Sequence, residues 1–518
     1  MVSGTEIDEN GKSDLVIVYH RQPYDEVVVD GKVTYRENAS PNGIVPTLKS
    51  FFGAVNRGSW VAWKQVRDRQ REPGFERRIE VTDSYGTYKV SRLPLTGEQV
   101  KQFYHVTSKE AFWPILHSFP NHFNYEPVDW ENFKEVNRLF AEAACEEAAD
   151  DALIWVHDYN LWLCPHFIRQ IKPNARIAFF HHTPFPSADI FNILPWRREI
   201  VESLLACDLI GFHIPRYARN FVQVARGLCD VKIETTIRVE DSLSPVGGAL
   251  SEPEMPEYIQ ANGRQILIDA FPVGTNPSLI EAQLAKPAAW ERLRNLRAEI
   301  GEQKLIMSIG RTDYVKGTKE MLEAYDRLLS RRPDLHGKVK LMVTSVSANE
   351  NMAVYRKAQH QVEQMIGRIH GKYATMGWGP IMAFTTPVPF DEVLCYYRLA
   401  DICWTTPLRD GLNLVAKEFV AAHRGESGVL VLSEFTGAAV EMQEAVMTNP
   451  YSIDSLVEGI ETALDMDEAE QKRRMSAMFQ SVEKYDISHW AEHSLSQFRR
   501  IGARVAAPPE AEVGTAAE

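Results

Sequence analysis

Cysteine is scarce, long apolar runs are missing, and so is any surplus of positive charge. The six cysteines, Cys145, Cys164, Cys207, Cys229, Cys395 and Cys403, show neither paired metal-ligand spacing nor the density of a disulfide scaffold. They read as reduced, mostly buried thiols, which points to the cytoplasm. No apolar stretch is long enough to span a bilayer, and the opening MVSGTEIDENGK lacks the basic start and apolar run of a signal peptide. Membrane insertion is not expected. A formal net charge of -13 and a sequence pI of about 5.7 leave no basic footprint for nucleic acid, so an anionic ligand has to be met by local cations. There is no GxxxxGK[ST] loop, and VGGAL (246–250) lacks the dinucleotide-binding glycine spacing. A DxDx[TV] phosphatase signature and internal repeats are also missing.

What the chain has is room and pattern. Its 518 residues, 44% hydrophobic and 25% charged, suit two or three domains with sizeable cores. Short apolar, β-branched runs alternate with longer amphipathic segments: LVIVY (15–19), ALIWV (152–156), IAFF (177–180), LIGF (209–212), LIMSIG (305–310), KLMVTSV (340–346), IMAF (381–384), ICWTT (402–406) and VLVLSEF (429–435). Strands buried on both faces with helices between them predict an α/β fold with parallel sheets. From Val231 to Arg264 the composition turns polar and rich in Pro and Gly, and LIDAFPVGTNP (267–277) follows as a strand running into a turn. A domain junction is expected there, with two doubly wound halves facing each other and ligands between them at the strands' carboxyl ends. The expected limits are 1–272 for the first half and 273–482 for the second. The tail 504–518, rich in Ala, Pro and Glu, is expected to be disordered.

In the second half, TPLRDGLNLVAKE (406–418), which ends in Glu418, surrounds an apolar helix with charge. Leu412, Val415, Ala416, Phe419 and Val420 form a core-facing stripe, and Glu418 lies off it, free to reach a ligand. Asp410 and Gly411 stand where a strand gives way to the helix. The first-turn amides of Asn413, Leu414 and Val415 are therefore suited to an anion such as a diphosphate. The bland alternative makes Asp410 or Asn413 a cap and pairs Arg409 with Glu418. SIGRTDYVKG (308–317) delivers Arg311 and Lys316 after another strand, and two cations there can clamp a diphosphate and stabilise it as a leaving group. Alternatively, Lys316 is a solvated loop residue and Arg311 pairs with Asp313.

In the first half, LIWVHDYNL puts Asp158 just past a strand and AFFHHTPFP ends a strand with His181 and His182. Adjacent strand residues point to opposite faces, so these histidines are poorly placed to share zinc. Asp158 and one histidine can instead hydrogen-bond sugar hydroxyls. Arg21 in HRQPYDE is a candidate for an acceptor phosphate, Gly43 allows close backbone approach, and Tyr104 and Trp113 can line a polar pocket.

From about Leu15 to Arg499 the chain resembles the trehalose-6-phosphate synthase family of retaining glycosyltransferases, on HDYNL, FFHHTPFPSADIFNILP, GRTDYVKG, GRIHGKYATMGW and TPLRDGLNLVAKEFVAA taken in order. The resemblance implies two facing Rossmann-like domains of the GT-B architecture, a sugar-nucleotide donor, a phosphorylated acceptor and no metal requirement. It also implies that a C-terminal helix of about 483–503, near Trp490, crosses back to the first domain. By the same resemblance Arg311 and Lys316 hold the donor diphosphate, Asp410 a glucose hydroxyl and Glu418 the ribose, while His182 and Asp158 hold the glucose near the reacting carbon. Arg21, Tyr104, Trp113 and Trp63 match acceptor positions, as does Gly43, which is also counted with the donor contacts.

Departures from the trehalose-forming pattern concern the acceptor. YHRQPYDE brings bulk at Tyr19, His20 and Tyr24, and an ungapped alignment through AVYRKAQHQVE puts Asn349 where an arginine commonly holds the phosphate of glucose 6-phosphate. YHRQPYDE and SPNGIVPTLKSFF resemble the branch that forms glucosylglycerol phosphate. That branch implies ADP-glucose as donor, glycerol 3-phosphate as acceptor, a separate phosphatase to release the osmoprotectant, and no nucleic-acid or membrane partner. A homo-oligomer is compatible with it. The rival readings are a trehalose-6-phosphate synthase with an altered entrance and a non-catalytic sugar-phosphate sensor, the latter requiring broken donor residues.

Overall fold

The computed structural model describes residues 11–29, 32–37, 43–67, 75–347 and 352–503. The expected disordered tail and Asn349 lie outside these residues. All nine apolar runs lie on or end strands, and these strands fall into two sheets.

The first is a 10-stranded sheet whose central strands, from Arg264–Ala270 through Leu209–Phe212, Arg176–His181, Ala148–His157, Ser13–Val18 and Gly58–Val66 to Gly86–Thr96, run parallel. Strands such as Ser13–Val18 are buried along almost their whole length, which explains their continuous rather than alternating hydrophobicity. Antiparallel strands finish both edges: Arg78–Asp83 on one side, and Val231–Arg238 with Glu254–Ala261 on the other. The polar stretch after Val231 is therefore sheet edge, not linker. Edge strands face water, and Val231–Arg238 is exposed at every residue after the first, so its composition reads as loop.

The second sheet has six parallel strands in the order Ile381–Phe384, Val339–Thr344, Lys304–Ser308, Ile402–Thr405, Val429–Ser433, Val446–Thr448. Its two faces carry separate apolar clusters. The chain leaves the first sheet after Ala270 and enters the second at Lys304. Close by, Lys417 in the second unit donates to the Val273 carbonyl at 2.8 Å and pairs with Glu441 at 2.7 Å, fully buried.

The last described helix, Ile487–Arg500, lies on the first sheet, where Trp490 is fully buried against Phe51, Phe180 and Trp155 at ring distances of 5.4, 5.5 and 5.7 Å. Losing a buried aromatic of this size costs about 3–5 kcal/mol, so this contact is a substantial clasp between the chain's end and its first unit. Among the described residues no helix is long and apolar enough to cross a membrane.

Candidate active site

The carboxyl ends of the two sheets meet around one cavity of about 530 Å³. Arg21, Gly43, Tyr104, Trp113, Asp158 and His182 line it from the first unit, and Arg311, Lys316, Asp410, Asn413, Leu414, Val415 and Glu418 from the second. Trp63, on Gly58–Val66, is not among the lining residues. It packs against the first core, and its carbonyl accepts a bond from Gln22 at 3.1 Å. Tyr19 and His20 line the cavity as well, whereas Tyr24 is packed away against Tyr35 at 4.8 Å.

On the second unit's wall, Ile402–Thr405 ends and the helix Leu414–Ala422 begins nine residues later. Asn413 turns the chain at φ 87°, a conformation asparagine tolerates, and its side-chain oxygen accepts from the Ala416 amide at 3.0 Å. The cap is real, and the Leu414 and Val415 amides beside it meet no acceptor among the described residues. Asp410 accepts from Lys316 at 2.6 Å and from Asn413 at 3.1 Å. Burial pushes the Asp410 carboxyl up, but the Lys316 charge and hydrogen bond outweigh it and hold the carboxyl below its ordinary range. Glu418 accepts from the Tyr397 hydroxyl at 2.9 Å, and Arg409 lies over the Phe435 ring. Among the described residues no carboxylate is within ion-pairing distance of Arg311, and Asp313 accepts from the Val315 amide instead. Leu412 departs from the expected stripe: it precedes the helix and joins the core of the first unit.

Glycines allow the walls to come this close. A side chain on Gly411 would begin 2.7 Å from the His182 carbonyl oxygen, so the donor-side turn packs directly on the end of Arg176–His181. Tyr217 reinforces this contact by donating to the Asp410 carbonyl at 3.0 Å.

On the first unit's wall, Asp158 adopts φ 70° and ψ 163°, a region almost reserved for glycine. Its surroundings fix it there: its amide donates to the Phe180 carbonyl at 2.9 Å, its carbonyl accepts from Leu161 at 3.0 Å, and its carboxylate accepts from the His182 amide at 3.3 Å. Such strain typically costs about 1–3 kcal/mol and is kept where a side chain must be aimed. Burial raises the Asp158 carboxyl to about 6. His182 shares a hydrogen bond at 3.1 Å between its Nε2 and Nδ1 of His157, and its own Nδ1 has no protein partner among the described residues. Burial, reinforced by His157, keeps the His182 imidazole well below its usual range. It is neutral at neutral pH and suited to hydrogen bonding with a hydroxyl rather than to carrying charge. His181 points the other way, bonded to the Thr183 carbonyl at 3.0 Å and stacked on Trp162. Gly43, at φ 108°, opens the helix Ile44–Lys49 at the cavity's rim.

Tyr104 and Trp113 belong to one helical stretch, and Lys101–Phe112 is wound as a π-helix. The Trp113 amide bonds five residues back to the Ser108 carbonyl, and Ser108 Oγ donates to the Phe103 carbonyl at 2.8 Å. That winding also brings Lys109 into the cavity, a residue that sequence reasoning passed over. Among the described residues no three His, Cys, Asp or Glu side chains are grouped to hold a metal ion.

Two parallel-sheet units with cations and a helix start facing a strained aspartate across a cleft define a GT-B glycosyltransferase. The chain belongs to glycosyltransferase family 20, whose family model matches residues 13–500. More particularly, it is 56% identical to the glucosylglycerol-phosphate synthase of Synechocystis sp., over 94% of this chain and 97% of that one. The trehalose-6-phosphate synthase of Mycolicibacterium smegmatis is 34% identical, over 95% of this chain and 94% of that one. Among solved structures, one of trehalose-6-phosphate synthase superposes with a TM-score of 0.82 at 30% identity, covering 95% of this chain and 100% of that one. An E. coli structure bound with UDP-2-fluoro glucose gives a TM-score of 0.81 at 30% identity, with the same coverage.

Proposed function

We propose that this glycosyltransferase moves glucose, with retention of α configuration, from ADP-glucose to the C2 hydroxyl of glycerol 3-phosphate, making glucosylglycerol phosphate. The observation that carries the reading is the single cavity in which Arg311 and Lys316 face Arg21, Asp158 and His182. The higher identity to a glucosylglycerol-phosphate synthase than to a trehalose-6-phosphate synthase, 56% against 34%, supports the acceptor. Residues 1–272, with the returning helix of about 483–503, form the acceptor unit in this reading, and 273–482 the nucleotide-sugar unit.

Arg311, Lys316 and the amides of Leu414 and Val415 hold the diphosphate and take up the charge that develops on it as the glycosidic bond breaks. Glu418 receives the ribose, and Asp410, Asp158 and the free Nδ1 of His182 fix the hydroxyls of glucose. The acceptor hydroxyl arrives on the face the diphosphate leaves, and the departing phosphate takes its proton. The His182 imidazole, held well below its usual range, is a weak base, which fits a reaction in which the departing phosphate takes the proton. The substrates are small molecules, a separate phosphatase releases the free osmoprotectant, and the setting is the cytoplasm.

The test offers the purified protein ADP-, UDP- and GDP-glucose against glycerol 3-phosphate and glucose 6-phosphate, with products identified by mass. The reading predicts glucosylglycerol phosphate with ADP-glucose as the best donor. Transfer to glucose 6-phosphate alone would replace it with trehalose-6-phosphate synthesis, and no transfer to either acceptor would refute it.

A further inference from the structure

Charge across the cavity is unevenly matched. Lys316 has Asp410, but among the described residues Arg21, Lys109 and Arg311 face the cavity without a carboxylate in ion-pairing range. Lys109 is the least expected of them. Its ammonium sits 3.9 Å from the centre of the Trp113 ring and 5.7 Å from that of Tyr104, so aromatic faces supply its local stabilisation. A lysine partly withdrawn from water without an anion is costly, and here burial pulls its pKa down. A lysine kept in such a place implies a bound anion that offsets the cost.

Two features locate that anion. Although burial pushes the Tyr104 hydroxyl up, Lys109, Arg21 and Arg311 together hold it below its ordinary range, so positive potential converges on that point. Lys109 also lines the same cavity as Arg21, Asp158 and His182. The donor diphosphate is matched by Arg311 and Lys316, leaving Arg21 and Lys109 for a second phosphate of roughly two negative charges.

Resting on the proposed function, we infer that Lys109 is a specificity-determining residue that grips the acceptor's phosphate together with Arg21, in the same cavity as Asp158, as suits an acceptor in which few bonds separate phosphate from the reacting hydroxyl. In glycerol 3-phosphate only two carbons and one oxygen lie between them. The π-wound helix makes the grip possible by setting Lys109 on the same face as Tyr104 and Trp113.

The experiment compares wild type, Lys109→Met, which keeps the apolar stem over Trp113, and Lys109→Arg. It measures KM for glycerol 3-phosphate, transfer to unphosphorylated glycerol, and binding of ADP. The inference predicts a KM for glycerol 3-phosphate at least tenfold higher in Lys109→Met and partly restored in Lys109→Arg, with ADP binding and transfer to glycerol unchanged. An unchanged KM in Lys109→Met overturns the inference alone. So does equal loss with glycerol, and so does loss of ADP binding, either of which makes Lys109 structural or donor-directed. A wild type that does not use glycerol 3-phosphate overturns this inference together with the function it rests on.

Discussion

In the proposed reading the two walls of the cleft solve the same problem, holding an anion, by different means. On the second unit's wall Lys316, Asp410 and Asn413 form a closed chain of bonds at 2.6 and 3.1 Å, and the helix start behind them offers backbone donors. On the first unit's wall Lys109 lies over the Trp113 ring, Arg21 lines the same cavity, and a strained aspartate and the neutral His182 stand beside them. In that reading the difference teaches that the grip for a leaving group is preorganised by bonded partners and a helix start, whereas selection of an acceptor is left to cations that have no carboxylate partner among the described residues.

If the donor wall carries the chemistry, its loss has the largest effect. Lys316→Ala is expected to lower kcat at saturating donor on the order of a hundredfold, as for loss of one oxyanion donor. Near-normal turnover would show that the paired wall only positions substrate.

Asp158 tests the strained wall through pH. Burial lifts its carboxyl to about 6, so between the ordinary aspartate range near pH 4 and pH 6 the unfolded chain gives up a proton that the folded one keeps. The stability this contributes is present below about pH 4 and is lost as pH rises through about 6. Asp158→Asn removes that penalty. It is expected to raise stability at pH 7–8 by about 2–3 kcal/mol, leave it unchanged at pH 4, and lower turnover. Thermal melts at the two pH values read this directly, and an equal shift at both would remove titration of Asp158 as its cause.

Smaller effects sharpen the comparison. Tyr397→Phe deletes the 2.9 Å bond that orients Glu418 and should raise the donor KM about fivefold while leaving the acceptor KM alone, in line with about 1 kcal/mol for one hydrogen bond. A change in the acceptor KM instead would place Glu418 on the other wall's business. Smallest of all, Trp63→Phe should alter the acceptor KM less than about twofold, since Trp63 lies outside the cavity lining and aromatic volume is largely kept. A tenfold rise would bring Trp63 back among the acceptor contacts.

This contrast also explains what the sequence made legible. Strands buried on both faces are continuous apolar runs, so eight of the nine were readable on that ground and the edge strand Ile381–Phe384 on its apolar composition alone, and the proposed donor wall follows because its residues stand within a few positions of two strand ends. Gly58–Val66 and Gly86–Thr96 mix polar with apolar residues, and Val231–Arg238 and Glu254–Ala261 lie at the sheet's edge, so composition hides them. Lys109 stayed hidden for a different reason. In ordinary 3.6-residue winding a position five residues after Tyr104 points well round the helix, and only i to i+5 winding stacks the two. The positive φ of Asp158 likewise arises from its amide's bond to Phe180, 22 residues along the chain, which no local motif announces.

The most direct test is a crystal structure with bound ADP. The account predicts both phosphates against Arg311, Lys316 and the Leu414 and Val415 amides, with Arg21 and Lys109 left for the acceptor. Phosphates lodged instead beside Arg21 and Lys109 would contradict it.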